Sequence, residues 1–455
     1  MKITISLICR ISLTVAFLCV FCGCATVRKA RSVQRAEQLP VGERTVTAAE
    51  LGLNSNSVLK LDKAVSIALA CNPAVSQAQF ALAAATTQVA QAKAAYWPSV
   101  ESSAGYSRST ANSSTSRGNT ESSDSYSASL GLNLTLYDFG RTTAAVRQSV
   151  TRLAAAAENL LTTRGDVAFK VRTSFYDLCQ AAELVVVAEE SVWQFDRHLD
   201  QVRTLAEFGS RIRYEVMKAE VDLGNARLDL INARAAADNA RDTLNRNLGL
   251  AENPGFRITP DNLPELDDNA AKLMAIIRRR HPGLLALRAQ ERLSSAAVDA
   301  AIADLYPSLK VSGSVSWSGD QLPLVWNWLS SVQSALELFS GGRKTARIEE
   351  TVAELRAARA RIAEREQQLY QEMALALRTR EVARQQMALT ELIRTAAAAS
   401  LELINERYRQ GKASALEVTD AQVALTRVQA DQVKARFEYQ KALAGLMHAT
   451  GDERP

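Results

Sequence analysis

The chain has 455 residues, 47% hydrophobic but only 6% aromatic, and a formal net charge of +5. So small a charge over this length carries no nucleic-acid footprint. His198, His281 and His448 are scattered, without an HExxH or paired-cysteine spacing, so no catalytic group, metal ligand or cofactor is expected and the chain does not read as an enzyme.

Lys2 and Arg10 precede an apolar run, Ile11 to Phe21, that is too short to span a bilayer comfortably, and residues 1–23 read as a signal peptide. The run ends Phe21-Cys22-Gly23-Cys24-Ala25, which resembles a bacterial lipobox with Cys24 as the acylated residue. The alternative is ordinary cleavage that leaves Cys24 a free thiol. Residues 24–58 read as an irregular, lipid-anchored segment. Cys71 and Cys179 are the cysteines left outside the leader. Their helices place them at different heights, about 40 Å and about 58 Å from the sheet at 1.5 Å per residue, so no disulfide between them is expected.

Helical periodicity starts at Leu59, with Leu61, Ala64, Val65, Ala68 and Leu69 on one face. Asn72-Pro73 interrupts it, and a second helix runs to about Tyr96. The period then changes to two. Val100, Ser102, Ala104 and Tyr106 alternate with Glu101, Ser103 and Gly105; after a polar stretch, Tyr126, Ala128, Leu130, Leu132, Leu134 and Leu136 face one way. This predicts a hairpin at about 98–138 with one apolar and one polar face. A long helix follows to Gly209 and another returns from about Tyr214 to Leu248. Asn253-Pro254 and Pro260 to Pro264 read as a linker.

The pattern then repeats. His281-Pro282 matches Asn72-Pro73 and Tyr306-Pro307 matches Trp97-Pro98, the two prolines being 25 residues apart in each half. Gly342-Arg343 matches Gly140-Arg141, and from there to the tip glycine, Gly209 or Gly411, is 69 residues in each half. This is an internal duplication: repeat 1 over 59–265 with a helical tip at about 207–215, repeat 2 over 266–451 with a hairpin at about 307–340 and a tip at about 409–417, and a tail at 452–455. A helix of 69 residues is about 104 Å long. Four strands per chain cannot close a barrel, which needs roughly eight or more, and open edges are forbidden in lipid; three chains supply twelve strands. The expected fold class is mainly α with a membrane β-barrel part: a homotrimer whose twelve strands close one barrel, joined to a long tube of helices.

Given twice, this order of Asn-Pro helix, hairpin, Gly-Arg, long helix, tip Gly and return helix resembles the TolC-type outer-membrane efflux family, and the lipobox makes it most similar to the lipidated OprM-like branch. The resemblance covers about residues 59–451. It implies a trimer with a 12-stranded outer-membrane β-barrel, set in that membrane's lipid and continued by a long periplasmic α-helical barrel; the leading reading is a passive exit duct, and the lipobox favours small molecules or ions as its cargo. A periplasmic adaptor protein and an inner-membrane pump are the implied partners. It also implies that Glu417 and Asp420 form an acidic periplasmic constriction, and that tip contacts and adaptor docking involve Gly209, Arg211, Glu215, Tyr408 and Gly411. The family's Arg two places after the second tip glycine is Ala413 here; Arg211 stands at the equivalent place in repeat 1. The other reading of Glu417 and Asp420 is a solvated helix start, where acids suit the dipole. Trp317, Trp326 and Trp328 in the second hairpin read as bilayer-interface anchors, with strand packing as the alternative. Two other functions fit the sequence: a type I protein-secretion duct of the same fold, and a lipid-anchored coiled-coil scaffold without a pore.

Replacing Cys24 with serine is expected to abolish acylation while the barrel still inserts, since sheet closure does not depend on the anchor. Mass spectrometry of the mature N-terminus checks this; an unmodified wild-type Cys24 would refute the lipobox reading.

Overall fold

The computed structural model describes residues 57–111, 121–208, 212–250, 254–265 and 269–451, with 28, 30 and 31. The leader, Cys24, the tail 452–455 and the tip residues Gly209 and Arg211 lie outside the described residues. In chain order the elements are β1 (Val58–Leu59), α1 (Leu61–Cys71), α2 (Pro73–Ala94), β2 (Ser99–Ala111), β3 (Glu121–Tyr137), α3 (Arg141–Glu207), α4 (Arg213–Leu248), β4 (Arg257–Ile258), α5 (Ala270–Arg280), α6 (Pro282–Ala303), β5 (Ser308–Gly319), β6 (Val325–Ala335), α7 (Arg343–Arg409) and α8 (Ala415–Thr450).

The duplication holds to the residue. Helices α2 and α6 have 22 residues each, α3 and α7 have 67, and α4 and α8 have 36. At 67 residues a helix is about 100 Å long. The same local chemistry sets the boundaries in both halves. Pro73 and Pro282 occupy the first turn of α2 and α6, where a missing N–H costs nothing. Gly140 and Gly342 precede α3 and α7 at φ +90° and +82°, a left-handed conformation that glycine enters without a Cβ clash. In repeat 1, Asp138 also holds the start of α3, accepting from the Gly140 and Thr142 N–H groups at 3.2 and 2.7 Å.

Helices α3 and α7 run the full length of the helical part. Near the sheet, α2, α3, α6 and α7 lie side by side; towards the tip, α4, α3, α8 and α7 do. The sheet order is β2-β3-β5-β6, antiparallel throughout, so β3 joins the repeats. A register shift between Thr135 and Tyr137 makes Tyr137, not Leu136, the partner of Leu309, so the expected alternation ends one residue early.

The main core lies midway, where Phe175 and Tyr176 of α3, Leu244 and Leu248 of α4, and Phe437 of α8 meet the α1 face. Two expectations are corrected here. Leu59 belongs to β1, which pairs in parallel with β4, and is fully buried rather than opening a helix. The stretch around Pro254–Pro264 is no loose linker: Phe256 is buried, and Asp261 accepts the Tyr176 hydroxyl at 2.8 Å through its carbonyl. Cys71 and Cys179 are free, as expected, yet both belong to this one core rather than to separate levels. Burial pushes the Cys179 thiol up to about 12, which makes it inert as a nucleophile. Among the described residues, no helix is long and apolar enough to cross a membrane.

Gly249 ends α4 at φ +82°, and a Cβ there would lie 2.8 Å from the Cys71 carbonyl oxygen. Gly249→Ala is expected to destabilise this core by about 1–3 kcal/mol through backbone strain, with the contact to a backbone atom adding to it. A lowered denaturant midpoint of the helical part checks this.

Candidate functional site

Two regions hold the residues that the sequence singles out: the sheet and the helical tip.

The register sorts the sheet into two faces. Val100, Leu132, Leu134, Val311, Val315 and Val332 share one face with Trp317, Trp326 and Trp328, because Trp317 pairs with Trp326 and Val315 with Trp328. The other face carries Ser103, Ser129, Ser312, Ser314, Ser316 and Ser331, with Leu329 and Val325 as apolar exceptions. Hydroxyl pairs tie neighbouring strands there, Ser103 with Ser129 and Ser312 with Ser331, both at 2.8 Å. An exposed apolar face backed by a hydroxyl-lined one is what a membrane barrel with a wet interior needs.

The tryptophans lie near the far end of the sheet, level with Tyr106 and Tyr126, whose rings are 5.0 Å apart. A second aromatic group, which the sequence reading missed, lies at the helix end: Phe139 stacks on Tyr306 at 5.2 Å and meets Tyr137 at 4.7 Å. From Trp317 to Leu309, the partner of Tyr137, is eight residues, or about 26 Å at 3.3 Å per residue. With strands tilted by about 35–45°, that run rises about 20 Å, close to the apolar band of roughly 25 Å between two girdles. The Tyr-Asp-Phe-Gly run at 137–140 is the sequence signal for this group.

At the tip, Gly411 stands at φ +72°. Its N–H donates to the Tyr408 carbonyl at 3.0 Å, and Lys412 N–H donates to the Arg407 carbonyl at 2.8 Å. These two bonds make a Schellman motif, which closes α7 and turns the chain into α8. Ser414 then caps α8: Glu417 N–H donates to the Ser414 hydroxyl at 3.2 Å, and the Glu417 carboxylate accepts from Ser414 N–H at 3.3 Å. Glu417 is therefore tied into its own helix start by a capping box, with its side chain and that of Asp420 still exposed.

Among the described tip residues, Tyr408 and Ala413 face inward. Tyr408 is only 3% exposed and packs with Phe195, Leu199 and Val202 of α3, Leu223 of α4 and Val418 of α8. Its ring lies 5.8 Å from that of His198, whose imidazole burial pushes below its ordinary value. Ala413 is buried in the same cluster, so a small residue fits where the resemblance implies an arginine. Glu215 is half-buried in a cavity of about 250 Å³ lined also by His198, Lys218, Asp222, Ser414 and Thr419. Across it, the Thr419 hydroxyl donates to Asp222 at 3.3 Å, joining the two repeats, while Lys218 pairs with Asp222 at 3.1 Å within α4. His281 is a joint between α5 and α6, buried, and held neutral because burial lowers its pKa to about 4.

The family model described as outer membrane efflux protein matches residues 64–250 and 273–452. The chain is 24% identical over 371 residues to Outer membrane efflux protein BepC of Brucella suis biovar 1 (strain 1330), covering 80% of this chain and 79% of that one. The CmeC outer membrane channel of Campylobacter jejuni superposes with a TM-score of 0.78 at 19% identity, over 86% of this chain and 85% of that one. The MtrE outer membrane channel of Neisseria gonorrhoeae, solved in an open state, gives 0.72 at 21% identity, over 88% and 92%. The shared fold is a helical barrel joined to a β-barrel.

Ser414→Ala removes the cap and is expected to cost about 1 kcal/mol, with the first turn of α8 fraying and the Glu417 carboxylate released. Faster hydrogen exchange at the 416–418 amides, with the main core unchanged, would show it.

Proposed function

The chain belongs to the outer membrane efflux protein family, and on that premise we propose that it is the exit duct of a tripartite efflux system. In this reading it is a passive, trimeric channel for small molecules or ions, anchored by lipid at Cys24. An inner-membrane pump drives it through a periplasmic adaptor that docks at the helical tips around Gly209 and Gly411.

The observation that carries this reading is a four-stranded sheet with one apolar and one hydroxyl-lined face, continuous with helices of 67 residues. The sheet argues against a scaffold without a pore. The trimer is supported by what the chain leaves uncovered. Strands β2 and β6 each have one unpaired edge within the chain. Tyr214, Met217, Val221, Leu228 and Ile231 form an exposed apolar row on α4, and Leu375, Val382, Leu389 and Leu403 form one on α7 at heptad spacing. Inside the chain, β3 pairs with β5 and α3 packs on α8. Exchanging the repeats makes β6 meet β2, and α7 meet α4, of the next copy. Met217 is exposed where its counterpart in repeat 2, Thr419, is buried against repeat 1.

In the trimer, Glu417 and Asp420 bring six carboxylates to the narrow end. At about 6 Å, two unit charges repel by roughly 0.7 kcal/mol in water and near 3 kcal/mol at an effective dielectric of about 20, which favours recruitment of cations. Glu417→Gln with Asp420→Asn is expected to lower cation selectivity and remove block by trivalent cations from the periplasmic side, with assembly unchanged. Purified protein in planar bilayers tests both levels: a wild type without conductance overturns the duct, whereas wild-type selectivity and block in the double variant overturn only the acidic ring.

A further inference from the structure

Each long helix begins where a shorter one ends, and one such junction between repeats lies within the chain. Arg141, the first residue of α3, reaches the C-terminal end of α6. Its Nη2 donates to the carbonyl oxygens of Ala303 and Tyr306, each at 3.4 Å, and its Nε lies 2.6 Å from the Asp304 carboxylate. Carbonyls at a helix end lack intrahelical partners, and the helix dipole favours a cation beside them. One guanidinium thus fastens repeat 1 to repeat 2 at the level where the helices enter the sheet.

We propose that Arg343, the counterpart of Arg141, fastens this chain to a second copy by capping the end of that copy's α2 at the carbonyls of Ala94 and Trp97. This deepens the trimer reading and rests on it. Arg343 is the first residue of α7, as Arg141 is of α3. Ala94 and Trp97 stand at the positions of Ala303 and Tyr306, 209 residues earlier, just before Pro98 as those are before Pro307. The two helix ends have the same form: Trp97 N–H donates to the Ala94 carbonyl at 3.0 Å and Tyr306 N–H to the Ala303 carbonyl at 3.2 Å. Within its own chain the Arg343 side chain is 73% exposed, against 39% for Arg141.

The differences between the junctions fit this assignment. Ala95 stands where Asp304 does, so the end of α2 brings no carboxylate. Glu337 of the chain that carries Arg343 brings one, 3.1 Å from Arg343 and 3.4 Å from Lys344, and orients the guanidinium before a neighbour arrives. The aromatic cover also differs: Gly341 stands where Phe139 does, so the Tyr306–Phe139 stack has no direct copy at the outer junction. Trp97, the counterpart of Tyr306, and Phe339, the counterpart of Tyr137, are exposed at 73% and 86%, whereas Tyr306 stacks on Phe139 within the chain.

The test is a cross-link. In a background of Cys71→Ser and Cys179→Ala, Ala95→Cys and Arg343→Cys are combined and treated with a short bis-maleimide, with each single variant as control. A ladder of dimer and trimer from the double variant alone is expected. No ladder from protein whose mass in detergent is that of a trimer overturns the Arg343 assignment, whereas a monomeric mass overturns the trimer reading beneath it. In a second arm, Arg343→Ala is expected to lower the temperature at which the trimer separates on semi-native gels. Arg343→Lys should restore only part of it, because a single ammonium nitrogen cannot reach the two carbonyls and the Glu337 carboxylate through separate nitrogens as a planar guanidinium can. A trimer of unchanged heat stability in Arg343→Ala overturns the assignment as well.

Discussion

The structure depends on one constraint: backbone N–H and C=O groups cannot end in lipid without partners. A sheet in the order β2-β3-β5-β6 satisfies its three inner ladders and leaves the outer edges of β2 and β6 open. Such an edge is a template for another strand, and in an apolar surround it must find one. Two further features point the same way. The apolar residues face one side of the sheet and the hydroxyls the other, and the exposed apolar rows on α4 and α7 lie on the flanks where the sheet is open. Edge, face and helix row all ask for a neighbour of the same kind, and the duplication supplies its pattern.

How far this was legible in the sequence follows from which residues act locally. Pro73, Pro282, Gly140, Gly342 and Gly411 fix helix ends through backbone geometry alone, so the duplicated helices could be placed closely from their spacing. The two sheet faces were legible because a period of two persists over many residues. Strands β1 and β4 were not: each has two residues, too few to alternate, and they pair in parallel across about half the chain. The burial of Phe256, which follows from that pairing, turned an apparent linker into core. At the tip, the spacing of Glu417 and Asp420 was legible and their exposure agrees with it, but the inward packing of Tyr408 against His198 depends on contacts between helices that no local pattern encodes.

Glu417 holds two roles in tension. As the third residue of α8 it completes a capping box with Ser414, and a carboxylate there is also favoured by the helix dipole. The same position puts its charge at the exposed start of the helix. In the acidic constriction proposed above, the capping bonds would hold this charge in place. Self-repulsion between chains would then act directly on the caps, so an entrance of this kind resists being both tightly closed and fully charged.

The two repeats have diverged at their junctions in a consistent direction. Contacts between repeats within one chain include, beside their apolar core, paired polar groups: Arg141 with Asp304, Arg147 with Asp299, Thr419 with Asp222. At the matching positions that face outward, the chain carries Ala95 for Asp304, Ala90 for Asp299 and Met217 for Thr419. A polar pair inside a chain finds its partner at a high effective concentration set by the connecting polypeptide, and its directionality helps to fix register. A surface that must wait for another molecule gains more from non-directional apolar burial, which tolerates imprecise approach and strengthens as the surfaces close. In the proposed trimer, polar pairs help to fix register along an inner seam whose buried core is apolar, whereas the outer seam sets exposed apolar rows beside the one polar clasp assigned to Arg343.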